Sequence, residues 1–359
     1  METKKRLKIA FLSFYSGIIE RGVETLIPEI AERLGKNHEV VVYQAGPGYG
    51  KNYKIVQIPT SWKPDTLQEP LNLKRRLFLD NSSLAVMEFM RKILPTLKKE
   101  KFDVVVPWNN GWQTILCRFN NVGKVVSIGQ SGLGWDDRVN LWLFPDYFVG
   151  FTKSQCEWAN RINPLVKTVT IPNGVDTIRF TPQGEKLKIN FATPIILCVA
   201  ALVPIKRQKL AIKAVSLLKK GSLVLVGRGE MKDELQKMGD QLLPGRFKIL
   251  ESAYKDIDKV YRTADVFTFP TSAWESFGLV LLEAMASGLP VVANDDPIRR
   301  DIVGGGSGLF VNPEHTKEYA QALQKALDID WGVKPREQAS KFSWDEIAKK
   351  YEQLFLKIV

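Results

Sequence analysis

Short apolar segments rich in Val, Ile and Leu recur along this chain, and segments with helical periodicity separate them. The first series of predicted strands is LKIAFLSF, EVVVYQA, YKIVQI, FDVVVP, KVVSI, DYFVGF and KTVTI, and the second is PIILCVA, SLVLVG, RFKIL, DVFTFP, LPVVAN and SGLFV. Continuous apolar strands that alternate with helices are typical of parallel sheets covered on both faces. The chain is therefore predicted to be α/β, with two doubly wound, Rossmann-like domains that face each other across a cleft.

The predicted domains are joined by a stretch rich in proline, glycine and polar residues, IPNGVDTIRFTPQGEKLKINFATP. A length of 359 residues also favours two domains over one. Residues 1–172 should form the N-terminal domain and residues 173–342 the C-terminal domain. Residues 343–359 should form a last helix that crosses back to the N-terminal domain. In open parallel sheets, ligands bind beyond the carboxyl ends of the strands, so the loops there are the place to look for chemistry.

Composition narrows the class of protein. The net charge of +12 is spread along the chain, which argues against a nucleic-acid-binding tail and fits a general attraction to nucleotides, phosphates or anionic lipid. Three widely spaced cysteines, Cys117, Cys156 and Cys198, form no CxxC pair, so we expect buried thiols and a reducing, cytoplasmic setting. No apolar run approaches the roughly 18 residues that a membrane-spanning helix needs.

One stretch, TSAWESFGLVLLEAMASG (271–288), places two carboxylates around a predicted helix start. Glu275 lies just before the helix, and Glu283 lies about one and a half turns inside it at ~3.6 residues per turn. The unpaired amides of a helix N-terminus can bind a phosphate, and Gly278 allows close approach. The pair thus fits a sugar nucleotide, with Glu283 on the ribose and Glu275 on the sugar. Equally, Glu283 could be a buried carboxylate paired with an arginine, and Glu275 an ordinary helix-end charge.

The same stretch resembles the E-x7-E segment of the retaining GT-B glycosyltransferases called group 1 or family 4. Other segments resemble that family in order along nearly the whole chain: ERGVE, IPNGVD, VAALVPIKRQKLAIKAVSLL, LVLVGRGE and ADVFTFPTSAWESFG. The resemblance implies transfer of a hexosyl group from a nucleoside-diphosphate-sugar, the co-substrate, to a hydroxyl acceptor with anomeric retention. It implies no further cofactor and no metal.

The resemblance also implies roles for individual residues. Lys206, which would neutralise the leaving phosphate, and Glu275, which would hold the donor sugar, are the expected catalytic residues. Glu283 would bind the ribose. The other residues expected to contact the donor lie in loops that follow strands: Gly22, Arg207, Gly227, Arg228, Ser276, Phe277 and Gly278.

Two positions depart from the family pattern. Similar enzymes have an arginine five residues before the lysine, where this chain has Ala201, so Arg207 or Arg228 would have to supply the missing charge. Similar enzymes often carry a histidine after the fifth strand, where this chain has Gln130. Neither His38 nor His315 follows that strand, and both are expected to be structural. These departures favour one alternative, a noncatalytic sugar-nucleotide-binding relative. A second alternative, a GT-B sugar-nucleotide epimerase that acts without an acceptor, also stays open.

The acceptor side is assigned to the first domain. The segments WNNGW and GQSGLGWDD follow strands and supply amides and a carboxylate suited to a sugar, from Asn109, Asn110, Gln130 and Asp136, although ordinary turns have the same composition. Residues 71–101 mix basic clusters with apolar faces. We expect mostly a solvated helical face there, and a further hypothesis is peripheral contact with an anionic membrane that carries a lipid-linked acceptor.

Overall fold

The protein divides into two compact units. The computed structural model describes residues 5–19, 22–62, 73–130, 133–188, 191–272, 275 and 277–359. Unit 1 comprises Met1–Asn173 together with Trp344–Val359, and unit 2 comprises Gly174–Ser343. These bounds lie one residue from those expected from the sequence.

Unit 1 is built on a parallel sheet. Its strands are β1 (Lys8–Leu12), β2 (Glu39–Gln44), β3 (Lys54–Gln57), β4 (Val104–Pro107), β5 (Lys124–Ile128), β6 (Tyr147–Gly150) and β7 (Lys167–Thr170). They lie in the order β3-β2-β1-β4-β5-β6-β7, and the register pairs Ala10 with both Val41 and Val105. The strand order reverses beside β1, so each half of the sheet grows outward from the centre, as in doubly wound folds.

Helices connect the strands of unit 1. They are α1 (Leu26–Leu34), α2 (Leu73–Arg76), α3 (Asn81–Glu100), α4 (Gly111–Asn120), α5 (Trp135–Trp142) and α6 (Lys153–Ile162), and a 3-10 helix at Gly22–Thr25 leads into α1. Helix α3 buries Val86, Phe89, Ile93 and Leu97 against the sheet and leaves its lysines outside, so it is an ordinary amphipathic helix.

Unit 2 repeats the architecture with fewer strands. These are β8 (Ile195–Val199), β9 (Ser222–Val226), β10 (Phe247–Leu250), β11 (Val266–Phe269), β12 (Val291–Asn294) and β13 (Gly308–Val311), in the order β10-β9-β8-β11-β12-β13, all parallel. Its helices are α7 (Gln208–Ser216), α8 (Lys232–Leu242), α9 (Ile257–Tyr261), α10 (Leu279–Ala286), α11 (Pro297–Val303), α12 (Thr316–Asp328) and α13 (Lys334–Ser340).

The last helix, α14 (Trp344–Ile358), belongs to unit 1 although it follows unit 2 in the chain. It packs on α1 and buries Tyr351 and Phe355, whose ring centre lies 6.4 Å from that of Phe11 in β1. The buried His38 ring accepts from the Leu7 amide at 3.2 Å and lies 3.1 Å from Glu352 of α14. His38 therefore joins three elements of unit 1 and is a structural residue.

The predicted α/β class and both series of strands are confirmed, because every predicted strand segment contains an observed strand. One helix end is wrong: the helical pattern QKLAIKAVSLLKKG predicts a helix that continues to Gly221, but α7 ends at Ser216 and the segment between them forms turns. All three cysteines are buried, as expected, and burial raises the pKa of the Cys198 thiol to about 12, so it stays protonated at neutral pH.

Candidate functional site

Two loops meet at the carboxyl edge of the unit 2 sheet, where β8 and β11 lie side by side. The loop after β8 contains a 3-10 helix, Pro204–Lys206, and the loop after β11 leads into α10. The Ser272 amide donates to the Ile205 carbonyl at 3.0 Å, and the Thr271 hydroxyl donates to the same carbonyl at 3.3 Å. These bonds tie the loops together at the edge where ligands bind in parallel sheets.

Lys206 and Glu275 form an ion pair between these loops. The Lys206 ammonium also lies 5.4 Å from the centre of the Phe269 ring, within the range of a cation–π contact. The two charged side chains are 16% and 20% exposed, so each keeps a route to a ligand while most of it is surrounded by protein. The two residues expected to be catalytic are therefore neighbours in the structure.

Arg207 is held by protein acceptors. It adopts a left-handed conformation, φ 51°, between the 3-10 helix and α7. Its guanidinium donates to the carbonyls of Pro270 and Thr271 at 2.9 and 2.8 Å, to Asn294 at 3.0 Å and to Glu314 at 2.9 Å. These contacts favour a role in supporting the loop after β11, and the expected assistance at the phosphate stays a prediction.

The start of α10 is shaped by glycine. Gly278 precedes the helix with φ +91°, a conformation that other residues rarely adopt, and a Cβ there would lie 3.0 Å from the Phe269 ring. Phe277 is buried. The first amides of α10 have no acceptor within the helix, so this end carries the positive end of the helix dipole. Ser276 lies outside the described residues.

Glu283 lies in the second turn of α10 and is partly buried. The phenol of the fully buried Tyr261, at the end of α9, donates to its Oε2 atom at 2.7 Å. Burial raises the pKa of Glu283 above its ordinary value, while the Tyr261 hydrogen bond and the positive charge of Arg179 act in the opposite direction. The Tyr261 phenol is therefore a hydrogen-bond partner of Glu283, and the nearby charge of Arg179 agrees in part with the alternative that an arginine compensates this carboxylate.

The loop after β9 approaches the loop after β8 closely. A Cβ at Gly227 would lie only 2.0 Å from the carbonyl oxygen of Ala200, so only glycine fits there. The Leu202 amide donates to the Arg228 carbonyl at 2.8 Å, which places Arg228 beside the loop that carries Ala201. The Arg228 side chain is 80% exposed and pairs with Glu251 at 2.7 Å.

Arg299 is a residue of this site that the sequence did not single out. It lies in α11 with a fully buried side chain, and its guanidinium donates to the main-chain carbonyl of Glu275 at 2.9 Å. Tyr261 was missed for the same reason, since each is distant in sequence from the glutamate it contacts. Neither shows a local pattern that would have revealed it.

The acceptor-side residues of unit 1 follow β4 and β5. The Asn109 side-chain carbonyl accepts from the Phe14 amide at 2.6 Å, and the Asn110 side chain caps α4 by accepting from the Trp112 amide at 3.0 Å. Both asparagines therefore have local structural roles. Gly22 begins the 3-10 helix that leads into α1.

Gln130 and Asp136 lie near the same edge of unit 1. The Gln130 side-chain amide donates to the Trp108 carbonyl, and the Trp108 indole donates to the buried Glu24 carboxylate at 3.3 Å. Asp136, in the first turn of α5, has its pKa raised by burial, an effect that Arg75 at 3.9 Å opposes. Glu24 was not among the expected residues. The sequence shows it only as a carboxylate in the loop after the first strand, which by itself does not indicate a site.

Within the described parts of the chain, no three His, Cys, Asp or Glu side chains come together as a metal site requires. Over the same residues, no helix is long and apolar enough to cross a bilayer.

Comparison with known proteins finds a family that most of unit 2 matches. The pattern of the family described as glycosyl transferases group 1 matches residues 180–344. An uncharacterized glycosyltransferase of Methanocaldococcus jannaschii is 27% identical, over 96% of this chain and 96% of its own length. A D-inositol 3-phosphate glycosyltransferase of Corynebacterium jeikeium is 33% identical over 52% of this chain, and this chain spans about half of that relative, 50%.

Solved structures share the fold over both units. Sucrose-phosphate synthase from Thermosynechococcus elongatus superposes with a TM-score of 0.78 at 18% identity, over 98% of this chain and 99% of that one. The Anabaena protein HepE in complex with UDP superposes with a TM-score of 0.75 at 19% identity, over 98% of this chain and 100% of that one. Family pattern, full-length relative and fold agree: residues 180–344 match the group 1 glycosyltransferases, and the chain has the two-domain, Rossmann-like GT-B fold.

Proposed function

We propose that this glycosyltransferase moves a hexosyl group from a nucleoside-diphosphate-sugar to a hydroxyl acceptor with retention of the anomeric configuration. The observation that carries the proposal is the arrangement of Lys206, Glu275 and Glu283 around the start of α10 in one unit. These groups match a nucleoside-diphosphate-sugar. The cation and the helix N-terminus suit its diphosphate, and the two carboxylates suit the hydroxyls of its ribose and its sugar. No metal or further cofactor enters the proposal.

The proposed binding mode follows from the chemistry of each group. The diphosphate would lie at the first amides of α10, where the helix dipole favours an anion. The Oε2 atom of Glu283 accepts from Tyr261, and no partner of its other carboxylate oxygen is found among the described residues, so that oxygen is suited to a ribose hydroxyl. Glu275 would accept from hydroxyls of the sugar.

The proposed transfer breaks the bond between the anomeric carbon and the phosphate oxygen and forms one between the same carbon and the acceptor oxygen. The acceptor proton passes to the leaving diphosphate on the same face of the sugar, so no protein nucleophile is required. Lys206 and the amides of α10 would stabilise the charge that builds on the leaving phosphate, which is commonly the largest contribution in such reactions.

The acceptor is proposed from relatives and from unit 1. Relatives are named as a D-inositol 3-phosphate glycosyltransferase and, in Corynebacterium glutamicum, as a GDP-mannose-dependent mannosyltransferase of a monoacylated phosphatidylinositol monomannoside, 29% identical over 44% of this chain and 46% of the relative. Inositol phosphates and phosphatidylinositol are therefore the acceptors to test first. Gln130 donates through its side-chain amide to Trp108, and Asp136 lies 3.9 Å from Arg75, so the Gln130 carbonyl oxygen and the Asp136 carboxylate are proposed to meet the acceptor.

A lipid-linked acceptor would be reached from a cytoplasmic, peripheral position on an anionic membrane. We define the α2 surface by its exposed residues: Leu73, Lys74, Arg76, Leu77 and Leu79 around α2, with Trp142 and Phe144 at the end of α5. The Trp135 indole donates to the Arg76 carbonyl at 3.1 Å and its ring packs edge-on against Trp142, which joins the two parts. Exposed apolar and basic side chains side by side suit anionic lipid.

One experiment tests the proposed function against its alternatives. Thermal shift with UDP-glucose, GDP-mannose and ADP-glucose identifies the donor. Release of the nucleoside diphosphate is then measured with and without D-inositol 3-phosphate or phosphatidylinositol vesicles, and NMR gives the anomeric configuration of the product. A retaining transferase forms a glycoside with the same anomeric configuration as the donor. An altered sugar formed without acceptor would indicate an epimerase, and binding without turnover would indicate a noncatalytic relative, the alternative that Ala201 and Gln130 favour.

A further inference from the structure

Arg299 is a charged side chain placed where charge is costly. It is fully buried in α11, whereas its neighbour Arg300 is 57% exposed and pairs with Asp295 at the surface. The nearest carboxylate to Arg299 is Asp296, at 3.4 Å, the long end of an ion-pair contact. Burial lowers the pKa of the Arg299 guanidinium, and the charges of Asp296 and Glu275 oppose that change, so the group stays a cation at neutral pH.

Two of the polar contacts of Arg299 go to main-chain carbonyls, and a third goes to the Asp296 carboxylate at 3.4 Å. Its Nη1 atom donates to the Glu275 carbonyl at 2.9 Å, and its Nη2 atom donates to the Ser272 carbonyl at 3.3 Å. The guanidinium carbon lies 6.0 Å from the centre of the Phe269 ring, the same ring that the Lys206 ammonium contacts. Arg299 therefore bridges the two ends of the segment 272–275 and lies beside the Lys206–Glu275 pair.

Stability alone does not account for this arrangement. Within the described residues, the Nε atom of Arg299, Oδ2 of Asp296 and the Ser272 hydroxyl are buried without a hydrogen-bond partner. An unpaired buried polar atom lowers the stability of the folded state. Apolar side chains of similar volume often replace buried charges without loss of stability. The forked guanidinium does offer one thing that an apolar residue lacks, which is simultaneous donation to two carbonyls at fixed positions.

We propose that Arg299 is a positioning residue for sugar transfer, which fixes the main chain at Ser272 and Glu275 so that the Glu275 carboxylate is held at Lys206 and at the donor sugar. The inference rests on the proposed function. Arg299 would touch neither donor nor acceptor, and it would act through Glu275. Misplacement of a reacting or orienting group by about 1 Å can cost on the order of 100-fold in rate, so the effect should be large.

The test compares Arg299→Met with Arg300→Met, a matched change one residue away on the exposed side of α11. With the donor that thermal shift selects, we expect R299M to lower kcat for nucleoside-diphosphate release by about 10- to 100-fold. KM for the donor should change by less than about threefold, because the diphosphate and ribose contacts remain. R300M should match the wild type. Arg299→Lys, which cannot bridge two carbonyls, should recover only part of the loss.

A double variant separates positioning from general support of the fold. In an E275A background, R299M should lower kcat by less than about twofold further, because the carboxylate that Arg299 positions is already absent. If R299M lowers kcat equally in both backgrounds, or R299M and R300M behave alike, the inference is overturned. Should R299M not fold, the same comparison is made with R299K. A wild type that neither binds nor turns over any donor would instead overturn the proposed function.

Discussion

Lys206 and Glu275 neutralise each other across two loops of unit 2. One is expected to bind the leaving phosphate and the other the sugar, so each expected donor contact is already occupied by the other residue's charge. A donor must therefore separate the pair or insert between its members. A nucleoside diphosphate without sugar can compensate Lys206 but leaves the Glu275 carboxylate beside new negative charge.

This relationship gives opposite predictions for the two residues. Lys206→Ala should lower the rate of transfer by about 100-fold or more, since it removes the cation that stabilises the negative charge developing on the phosphate. Glu275→Gln should also lower transfer, yet it should keep or tighten binding of the nucleoside diphosphate, because a competing carboxylate is gone. Steady-state kinetics and calorimetric titration check both. The control is Lys209→Ala, a partly exposed lysine of α7 paired with Glu234. Weaker nucleotide binding in E275Q would contradict the relationship.

Tyr261→Phe should weaken donor binding. The phenol orients Glu283 and is its described hydrogen-bond donor, and a hydrogen bond to a charged group contributes about 1.5–3 kcal/mol. We expect the donor Kd to rise by about tenfold or more. Tyr351→Phe is the matched control, because Tyr351 is also fully buried but its hydroxyl has no hydrogen-bond partner in the part of the chain that the structure describes. Y351F should leave the donor Kd unchanged. Equal Kd values for Y261F and wild type would remove Tyr261 from the site.

The raised pKa of Glu283 predicts a pH dependence with a definite sign. Ribose hydroxyls need the ionised carboxylate, so donor affinity should fall as pH drops through a pKa that burial holds above the ordinary 4.5. Y261F removes the phenol hydrogen bond, which lowers this pKa. The loss of donor affinity at acid pH should therefore begin at a higher pH in Y261F than in the wild type. The folded state binds this proton more tightly than the unfolded chain, so ionisation of Glu283 lowers stability at neutral pH. Glu283→Gln should therefore raise Tm at pH 7 while donor binding is lost.

The sequence was informative where local pattern decides structure. Apolar runs and helical periods predicted every strand, and a glycine before an apolar helix predicted the turn at Gly278. Strand order then brings the loops after β8 and β11 to one edge, so Lys206 and Glu275 could be expected together.

The partners of these residues could not be predicted, because they depend on contacts between distant segments. Arg299 appears in sequence as one of two adjacent arginines, and only packing buries one and exposes the other. Arg207 has the residue type of a phosphate ligand, yet four protein acceptors hold it. Asn109 and Asn110 suit a sugar site by composition, but the side-chain oxygen of each already accepts from a backbone amide.

Phe355→Ala should destabilise unit 1 and leave unit 2 largely unchanged. Phe355 is fully buried in α14, and such truncations cost about 3–5 kcal/mol. Hydrogen exchange followed by mass spectrometry should show lost protection in the sheet of unit 1, including β1, while peptides of unit 2 keep theirs. Lys349→Ala changes an exposed residue of the same helix, paired with Glu346, and should have little effect. Equal loss of protection in unit 2 would contradict the assignment of α14.

Chelation should leave the reaction unchanged. The proposed transfer assigns the phosphate charge to Lys206 and the amides of α10, so millimolar EDTA should not alter kcat. The Asp256 and Asp258 carboxylates, which sequence alone could pair as metal ligands, contact Lys259 and Arg262 at 3.5 and 2.6 Å. Activity lost in EDTA and restored by Mn²⁺ would show that a metal supplies the charge.

The α2 surface should bind anionic vesicles at low salt. Each basic residue near such a membrane contributes about 1 kcal/mol, so the double variant K74E/R76E should lower vesicle partitioning by about 30-fold or more. The control K98E/K99E makes the same change in net charge at two exposed lysines at the end of α3. Co-sedimentation with phosphatidylinositol vesicles at low and physiological salt measures both. Equal losses in the two variants would indicate attraction to total charge alone, and no wild-type binding at low salt would rule out the membrane contact.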